Sequence, residues 1–222
     1  MPHYRVACDR YYSIMYISPI DEILNDFKSG KFVIIVDDKD RENEGDLMVA
    51  ADFIDSAKIN FMSRQACGLI CLALTPGQVD RLQLPMLKSE LHSTGKNHAA
   101  FTFSIEASQG ITTGISSKER AHTIQTAIRE TALVSDIVCP GHVFPLRANE
   151  GGVLERPGHT EAAVDLAKLS QLTPASVICE ILDDEGNPAS GPNLKKFAER
   201  FNIKIGTIED LIGYRKAIQA RQ

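Results

Sequence analysis

The sequence has 222 residues, 43% of them hydrophobic, and its 29 Asp and Glu residues outnumber its 24 Lys and Arg residues, for a formal net charge of −5. This length supports one substantial core, and we expect one domain, residues 18–222, after an N-terminal extension, residues 1–17. The acidic balance lacks the basic surface that nucleic acid or an anionic membrane requires. No apolar run approaches the roughly 20 residues that cross a bilayer, and the five scattered cysteines lack zinc-site spacing. The sequence predicts a cytoplasmic protein with neither a nucleic-acid nor a membrane partner.

Apolar periodicity predicts strands and helices along the whole chain. A short amphipathic helix over residues 18–30 precedes a β-branched strand, residues 31–36, and a charged loop separates that strand from the next, residues 47–51. The mixture of hairpin-like and helix-connected strands predicts an α+β fold, with a mixed β-sheet core flanked by helices. Further strands are expected at residues 69–74, 101–107, 142–146, 177–182 and 203–205, and further helices near residues 56–65, 76–83, 116–130, 160–171, 191–202 and 207–220.

The loop of residues 37–46 crowds six carboxylates beside Lys39 and Arg41. Such a run is commonly an exposed turn. Here it follows a strand of buried type, and Asn43 and Gly45 allow the backbone to bend, so that alternate carboxylates can aim at one Mg²⁺ or Mn²⁺ ion. Arg41 suits either a phosphate or an internal salt bridge. The six carboxylates are Asp37, Asp38, Asp40, Glu42, Glu44 and Asp46.

A second cluster, residues 140–160, contains two Gly-His pairs and two arginines and leads into a helix. Because a helix start presents unpaired N–H groups, residues 156–160 resemble a phosphate-binding turn. His159 is either a structural histidine or a metal ligand, and His142, beside a strand, is either a general acid or base or a strand-edge hydrogen-bonding group.

Two further positions have both a chemical and a structural interpretation. Glu180 lies within a predicted strand, where it requires a partner if it faces the core or points to solvent at an alternate position. Thr113 belongs to a threonine pair that can add hydroxyls to a phosphate site, whereas Ser116 and Glu119 form a capping pattern for the following helix.

Four segments together resemble the 3,4-dihydroxy-2-butanone 4-phosphate synthase family of riboflavin biosynthesis. The resemblance covers residues 20–205 and departs from the family at residues 1–17 and 91–99. Its specificity comes from the ordered combination of motifs. The segments are DDKDRENEGDLMVAAD, ITTGISSKERAHTI, PGHVFPLRANEGGVLERPGHTEAAVDLA and VICEIL.

The resemblance implies particular roles for residues of this chain. Glu42 and His159 would bind Mg²⁺ or Mn²⁺, with two ions per site. His142 and Glu180 would be essential for turnover, and Asp46 is a further acid–base candidate. The residues implied in binding the sugar phosphate are Arg41, Glu42, Asp46, Thr113, Arg156, Pro157, Gly158, His159, Thr160 and Glu180.

The resemblance also implies the reaction and the assembly. D-Ribulose 5-phosphate would become L-3,4-dihydroxy-2-butanone 4-phosphate and formate through a metal-stabilised enediolate, a skeletal rearrangement and loss of formate. Any of His142, Asp46 and Glu180 could be the base that removes the first proton. We expect a homodimer with active sites near the interface. We also expect a single activity, without a fused GTP cyclohydrolase II domain. The alternatives are a phosphosugar isomerase or aldolase and a catalytically silent phosphosugar-binding protein.

Overall fold

A computed structural model describes residues 16–87 and 99–220. Most of the predicted N-terminal extension and of residues 91–99 lies outside these ranges. The described residues form seven strands and seven α-helices, with short 3₁₀ or π turns between some of them. In chain order the elements are α1 (Ile20–Lys28), β1 (Val33–Val36), β2 (Gly45–Ala50), α2 (Ser56–Phe61), β3 (Cys71–Leu74), α3 (Pro76–Arg81), β4 (Ile105–Ala107), α4 (Ser117–Ile128), β5 (Ile137–Arg147), α5 (His159–Leu169), β6 (Ala175–Glu180), α6 (Gly191–Phe201), β7 (Lys204–Thr207) and α7 (Ile208–Gln219).

The strands form one mixed sheet in the order β4-β5-β3-β6-β2-β1-β7. β1 pairs with β2 in antiparallel and with β7 in parallel orientation. β6 is antiparallel to both β2 and β3, and β3 is parallel to β5. The predicted mixed sheet of an α+β fold is therefore confirmed.

Helices cover both faces of the sheet, which explains why its central strands are apolar without alternation. One apolar cluster places Ile34, Leu72 and Val177 against α2, α4 and α6, and the other places Ile35, Met48 and Ile178 against α1, α5 and α7. Every residue of β1 and β2 is buried, including Asp46. Asp46 thus belongs to a strand and not to the charged loop in which the sequence placed it.

Two predicted strands have a bound that differs by more than two residues from the structure. The strand expected at residues 101–107 is reduced to the three residues of β4, and Phe101 and Thr102 make only isolated bridges to Leu146 and Met86. β5 begins at Ile137, five residues before its predicted start, and its first half is largely exposed. Among the described residues, no helix combines the length and the apolar character needed to cross a membrane.

Candidate active site

The charged loop between β1 and β2 is organised by the carboxylate of Asp37, which has a fully buried side chain. Its Oδ1 accepts a hydrogen bond from the backbone N–H of Glu44 at 2.9 Å, and its Oδ2 accepts one from the backbone N–H of Glu42 at 3.1 Å. Asn43, between these two donors, has a left-handed backbone with φ of 58°, a conformation that asparagine tolerates better than most residues. The loop is therefore a closed turn around one carboxylate.

Arg41 is held inside this turn by ion pairs. Its Nη1 lies 2.7 Å from Asp37 Oδ2 and 2.7 Å from Glu42 Oε2. Burial lowers the pKa of Arg41, but these two carboxylates outweigh burial and raise the pKa above its ordinary value. The structure thus contains the internal salt bridge that the sequence left open, and contact of Arg41 with a substrate stays a prediction.

The loop and the start of α5 together form a cluster of metal-ligand type. One ligand atom from each of Asp37, Glu42 and His159 lies within 4.8 Å of the other two. His159 Nδ1 is 3.8 Å from Glu42 Oε2 and 3.9 Å from Asp46 Oδ1. The predicted ligands Glu42 and His159 are neighbours, and Asp37, one of the six carboxylates of the charged loop, is the third member of the cluster.

Burial and charge act in opposite directions on the pair of Asp46 and His159. Burial lowers the pKa of His159, but Asp46 and Glu42 outweigh it and raise the pKa to about 9. Burial raises the pKa of Asp46 to about 7. The charge of Glu180 also raises this pKa, whereas the charge of His159 lowers it. Among the described residues, Asp46 Oδ1 and His159 Nε2 are buried without a hydrogen-bond partner.

Glu180 lies beside Asp46 because the two residues are paired across β2 and β6. Residues opposite each other in a ladder share one face of the sheet, here the face that carries α5. Glu180 Oε2 accepts a hydrogen bond from the backbone N–H of Leu69 at 2.8 Å, and Gly68 leaves no space for a side chain against this carboxylate. Glu180 therefore has a backbone partner at the end of the sheet.

His142 lies on β5, two residues before Phe144. Phe144 is paired with Cys71 at the start of β3, and Cys71 is also paired with Ile178 of β6. His142 and Glu180 thus lie towards the same end of the sheet, on strands separated by β3. The half-exposed imidazole of His142 is hydrogen-bonded through Nδ1 to Oε1 of Glu106.

The start of α5 carries the predicted phosphate-binding residues. Gly158 occupies the N-cap without a side-chain capping bond, and Thr160 is buried in the first turn. Pro157 is exposed, whereas Arg156 donates from Nη1 to Oε2 of Glu161 at 2.6 Å. The buried Glu161 also accepts a hydrogen bond from the backbone N–H of Asn149 at 2.9 Å through Oε1. Glu161, absent from the sequence prediction, thus fixes Arg156 and the loop before the helix.

Thr113 is exposed on the segment before α4. Its neighbour Gly114 packs directly against the carboxylate of Glu106. Within the described chain, Thr113 therefore lies on the His142 side of the site. Glu106 is a second residue that the sequence analysis missed, because its partner is 36 positions away and no local pattern signals the contact.

The described residues place buried carboxylates, a buried histidine and the N-terminus of α5 at one end of a mixed sheet, an arrangement typical of the class of α+β enzymes that bind small anions and hard cations. The family model of 3,4-dihydroxy-2-butanone 4-phosphate synthase matches residues 21–214. The chain is 57% identical over 209 residues to the 3,4-dihydroxy-2-butanone 4-phosphate synthase of Neisseria meningitidis, covering 92% of this chain and 56% of that protein. It therefore belongs to the 3,4-dihydroxy-2-butanone 4-phosphate synthase family, as its motifs predicted.

Two other relatives agree with this family. A riboflavin biosynthesis protein of Synechocystis, RibBA, is 52% identical over 198 residues, covering 88% of this chain and 35% of its own length. A solved 3,4-dihydroxy-2-butanone 4-phosphate synthase in complex with two magnesium ions superposes with a TM-score of 0.86 at 38% identity, covering 93% of this chain and 100% of that one. The chain thus spans about half of the length of the Neisseria protein and about a third of the length of the Synechocystis protein.

Proposed function

We propose that the chain converts D-ribulose 5-phosphate to L-3,4-dihydroxy-2-butanone 4-phosphate and formate in riboflavin biosynthesis, acting as a lyase in the cytoplasm. The observation that carries this proposal is the ligand-type cluster of Asp37, Glu42 and His159 beside the buried Asp46. The family membership of the chain supplies the reaction, and the pathway matches the name of its Synechocystis relative.

Glu42 and His159 are the proposed ligands of Mg²⁺ or Mn²⁺, with Asp37 and Asp46 adjacent and with two ions per site. The donor set fits such a cation, because carboxylate oxygens are preferred by Mg²⁺ and because the buried Asp46 Oδ1 and His159 Nε2 lack partners within the described ranges. Buried polar atoms of this kind are ordinarily satisfied by an ion, water or ligand. A cation held there would stabilise the negative charge of an enediolate.

Proton transfers are assigned to three side chains, His142, Asp46 and Glu180. The reaction removes a proton from the third carbon, expels the hydroxyl of the first carbon as water, joins the third and fifth carbons, and adds water at the fourth carbon before formate leaves. The water that is lost and the water that is added cancel, so a five-carbon phosphate yields a four-carbon phosphate and formate. Asp46, with a pKa of about 7, can donate and accept protons near neutral pH. Which of the three side chains takes the first proton stays open.

The phosphate group is assigned to the start of α5. Gly158 leaves the first N–H groups of the helix without a side-chain cap, and such groups bind anions together with the helix dipole. Arg156 and Thr160 flank this turn, and Arg41, Pro157 and Thr113 are the further proposed contacts. Support comes from Glu161, which orients the guanidinium of Arg156 at the mouth of the turn.

A homodimer is proposed through the sheet edge formed by β4 and the first half of β5. Phe103, Leu133, Val134 and Val138 around this edge expose 42% to 63% of their surface. Exposed apolar groups beside an edge strand are typical of a protein–protein contact. Because Glu106 and His142 belong to the same two strands, the proposed interface would lie next to the site.

The proposed function is tested by incubating the purified chain with ribulose 5-phosphate and Mg²⁺ and measuring formate and the four-carbon phosphate. We expect both products in equal amounts and none with a chelator. A five-carbon product would favour an isomerase, and tight binding of ribulose 5-phosphate without turnover would favour a silent binding protein. His142→Ala should lower the rate by roughly 10²- to 10⁴-fold, the usual contribution of a general acid or base.

The ligand assignment is tested with two variants of the charged loop. Glu42→Gln should weaken Mg²⁺ or Mn²⁺ binding, measured by calorimetry, by at least about tenfold, because a charged ligand is lost. Asp40→Asn removes the same charge from an exposed position of the loop and should leave the affinity nearly unchanged. Equal losses in both variants would mean that only the net charge of the loop matters.

A further inference from the structure

The carboxylate of Glu106 is hydrogen-bonded to Nδ1 of the His142 ring. The Glu106 side chain is 14% exposed and the His142 side chain 44% exposed, so the carboxylate lies behind the imidazole as seen from solvent. Because an ionised carboxylate only accepts hydrogen bonds, this contact favours the tautomer of His142 that has the proton on Nδ1 and the lone pair on Nε2.

Two glycines fit closely around Glu106. Gly114 has φ of +82°, and a side chain there would collide with the Glu106 carboxylate. A side chain at Gly141 would collide with Ile105 backbone atoms and with Cγ of Glu106. Both positions allow close approach because they lack a Cβ atom. The carboxylate is thus enclosed by the segment before α4 and by the β5 residue that precedes His142.

The segment that carries Gly114 is itself fixed by hydrogen bonds. Glu119 Oε1 accepts from the backbone N–H and the hydroxyl of Thr112, and Glu119 Oε2 accepts from the hydroxyl of Ser116. On the other side, the backbone N–H of Gly141 donates to Ser104 Oγ at 3.1 Å. These bonds hold the enclosure of Glu106 in one arrangement.

We propose that Glu106 is a positioning residue for His142, which rests on the proposed function. Glu106 accepts the Nδ1 proton, sets the tautomer and directs Nε2 towards the substrate. When Nε2 accepts a proton in one of the transfers of the reaction, the Glu106 carboxylate offsets the charge of the imidazolium, and the proton is returned from Nε2 at a later step. Glu106 exchanges no proton with the substrate. A carboxylate behind a catalytic imidazole acts in this way in other enzymes.

The kinetic test compares Glu106→Gln, His142→Ala, the double variant and Glu209→Gln. The glutamine at position 106 can donate to Nδ1 and so favour the opposite tautomer, and kcat should fall by at least about tenfold while KM changes less than about threefold. The double variant should be no slower than His142→Ala alone, because Glu106 acts through His142. Glu209→Gln makes the same substitution at an exposed position of α7 and should keep the activity. Additive losses in the double variant, or an equal loss in Glu209→Gln, would overturn the proposal.

A second measurement does not depend on turnover. In ¹⁵N-histidine NMR spectra of the full chain at neutral pH, His142 should be protonated at Nδ1 in the starting protein, and Glu106→Gln should shift this tautomer, with His142→Ala identifying the resonance. An unchanged tautomer in Glu106→Gln contradicts the positioning role. If the starting protein releases no formate, the proposed function fails, whereas the tautomer measurement still decides the role of Glu106.

Discussion

Asp46 and His159 bind protons more tightly in the folded chain than an unfolded chain would. The pKa of His159 is raised from 6.5 to about 9 and that of Asp46 from 3.8 to about 7. Because both pKa values are raised, the folded state binds more protons than the unfolded state between pH 3.8 and about pH 9, and its stability falls as pH rises through this range. Glu42 and Glu119 have pKa values lowered from 4.5, so both are ionised in the folded and the unfolded chain near neutral pH and do not oppose the effect there.

We therefore predict that the chain, kept in a chelator, unfolds more easily at pH 9 than at pH 6.5. His159 contributes stability that is fully present below pH 6.5 and lost towards pH 9, on the order of 3 kcal/mol for a shift of this size. Urea unfolding across this pH range measures the effect, and His159→Gln should flatten the profile. An equally steep profile in this variant would assign the effect to other groups.

At the scale of single elements, α5 connects the site to the rest of the fold. Asp165, buried within this helix, accepts hydrogen bonds from the backbone N–H of Val153 at 2.9 Å and from Arg215 Nη1 at 2.7 Å. Arg215 belongs to α7 and also donates to the backbone oxygen of Gly151. The loop that leads to Arg156 is thereby fastened to two helices.

Removing the Asp165 carboxylate should destabilise the chain strongly, because Arg215 would be left partly buried without this partner. We expect Asp165→Ala to lower the free energy of unfolding by about 3 kcal/mol, measured with urea. Glu209→Ala, at an exposed position of α7, is the matched control and should change stability by less than about 0.5 kcal/mol. Similar losses in the two variants would refute a special role of the buried pair.

The sequence predicted the elements that are buried on both faces, whereas it predicted the elements at the edge of the sheet only in part. β1 is a continuous apolar run, and α5 starts beside the predicted Gly158 and His159. The first half of β5 was missed because its exposed residues, with Pro140 among them, lack an apolar pattern. Glu106 and Glu161 were missed because their roles depend on tertiary contacts, whereas Glu42 and His159 lie in recognisable local motifs.

At the scale of the whole molecule, the β4–β5 edge is the apolar surface proposed for the dimer contact. We predict that Val138→Glu converts the proposed homodimer to a monomer in sedimentation experiments, because a charge buried without a partner in an interface is unfavourable. Lys196→Glu, at an exposed position of α6, should leave the assembly unchanged. A Val138→Glu variant that remains dimeric would place the interface elsewhere.

The ion pairs of Arg41 also affect the stability of the protein when divalent cations are scarce. Arg41 and a protonated His159 offset the carboxylates of Asp37 and Glu42, so repulsion among these carboxylates does not by itself open the loop. Chelation should then stop turnover while the circular dichroism spectrum and the melting temperature change little, and added Mg²⁺ should restore activity. Unfolding on chelation would contradict this. In a magnesium-poor cell, such a protein would stay folded but inactive and would not be degraded by proteases.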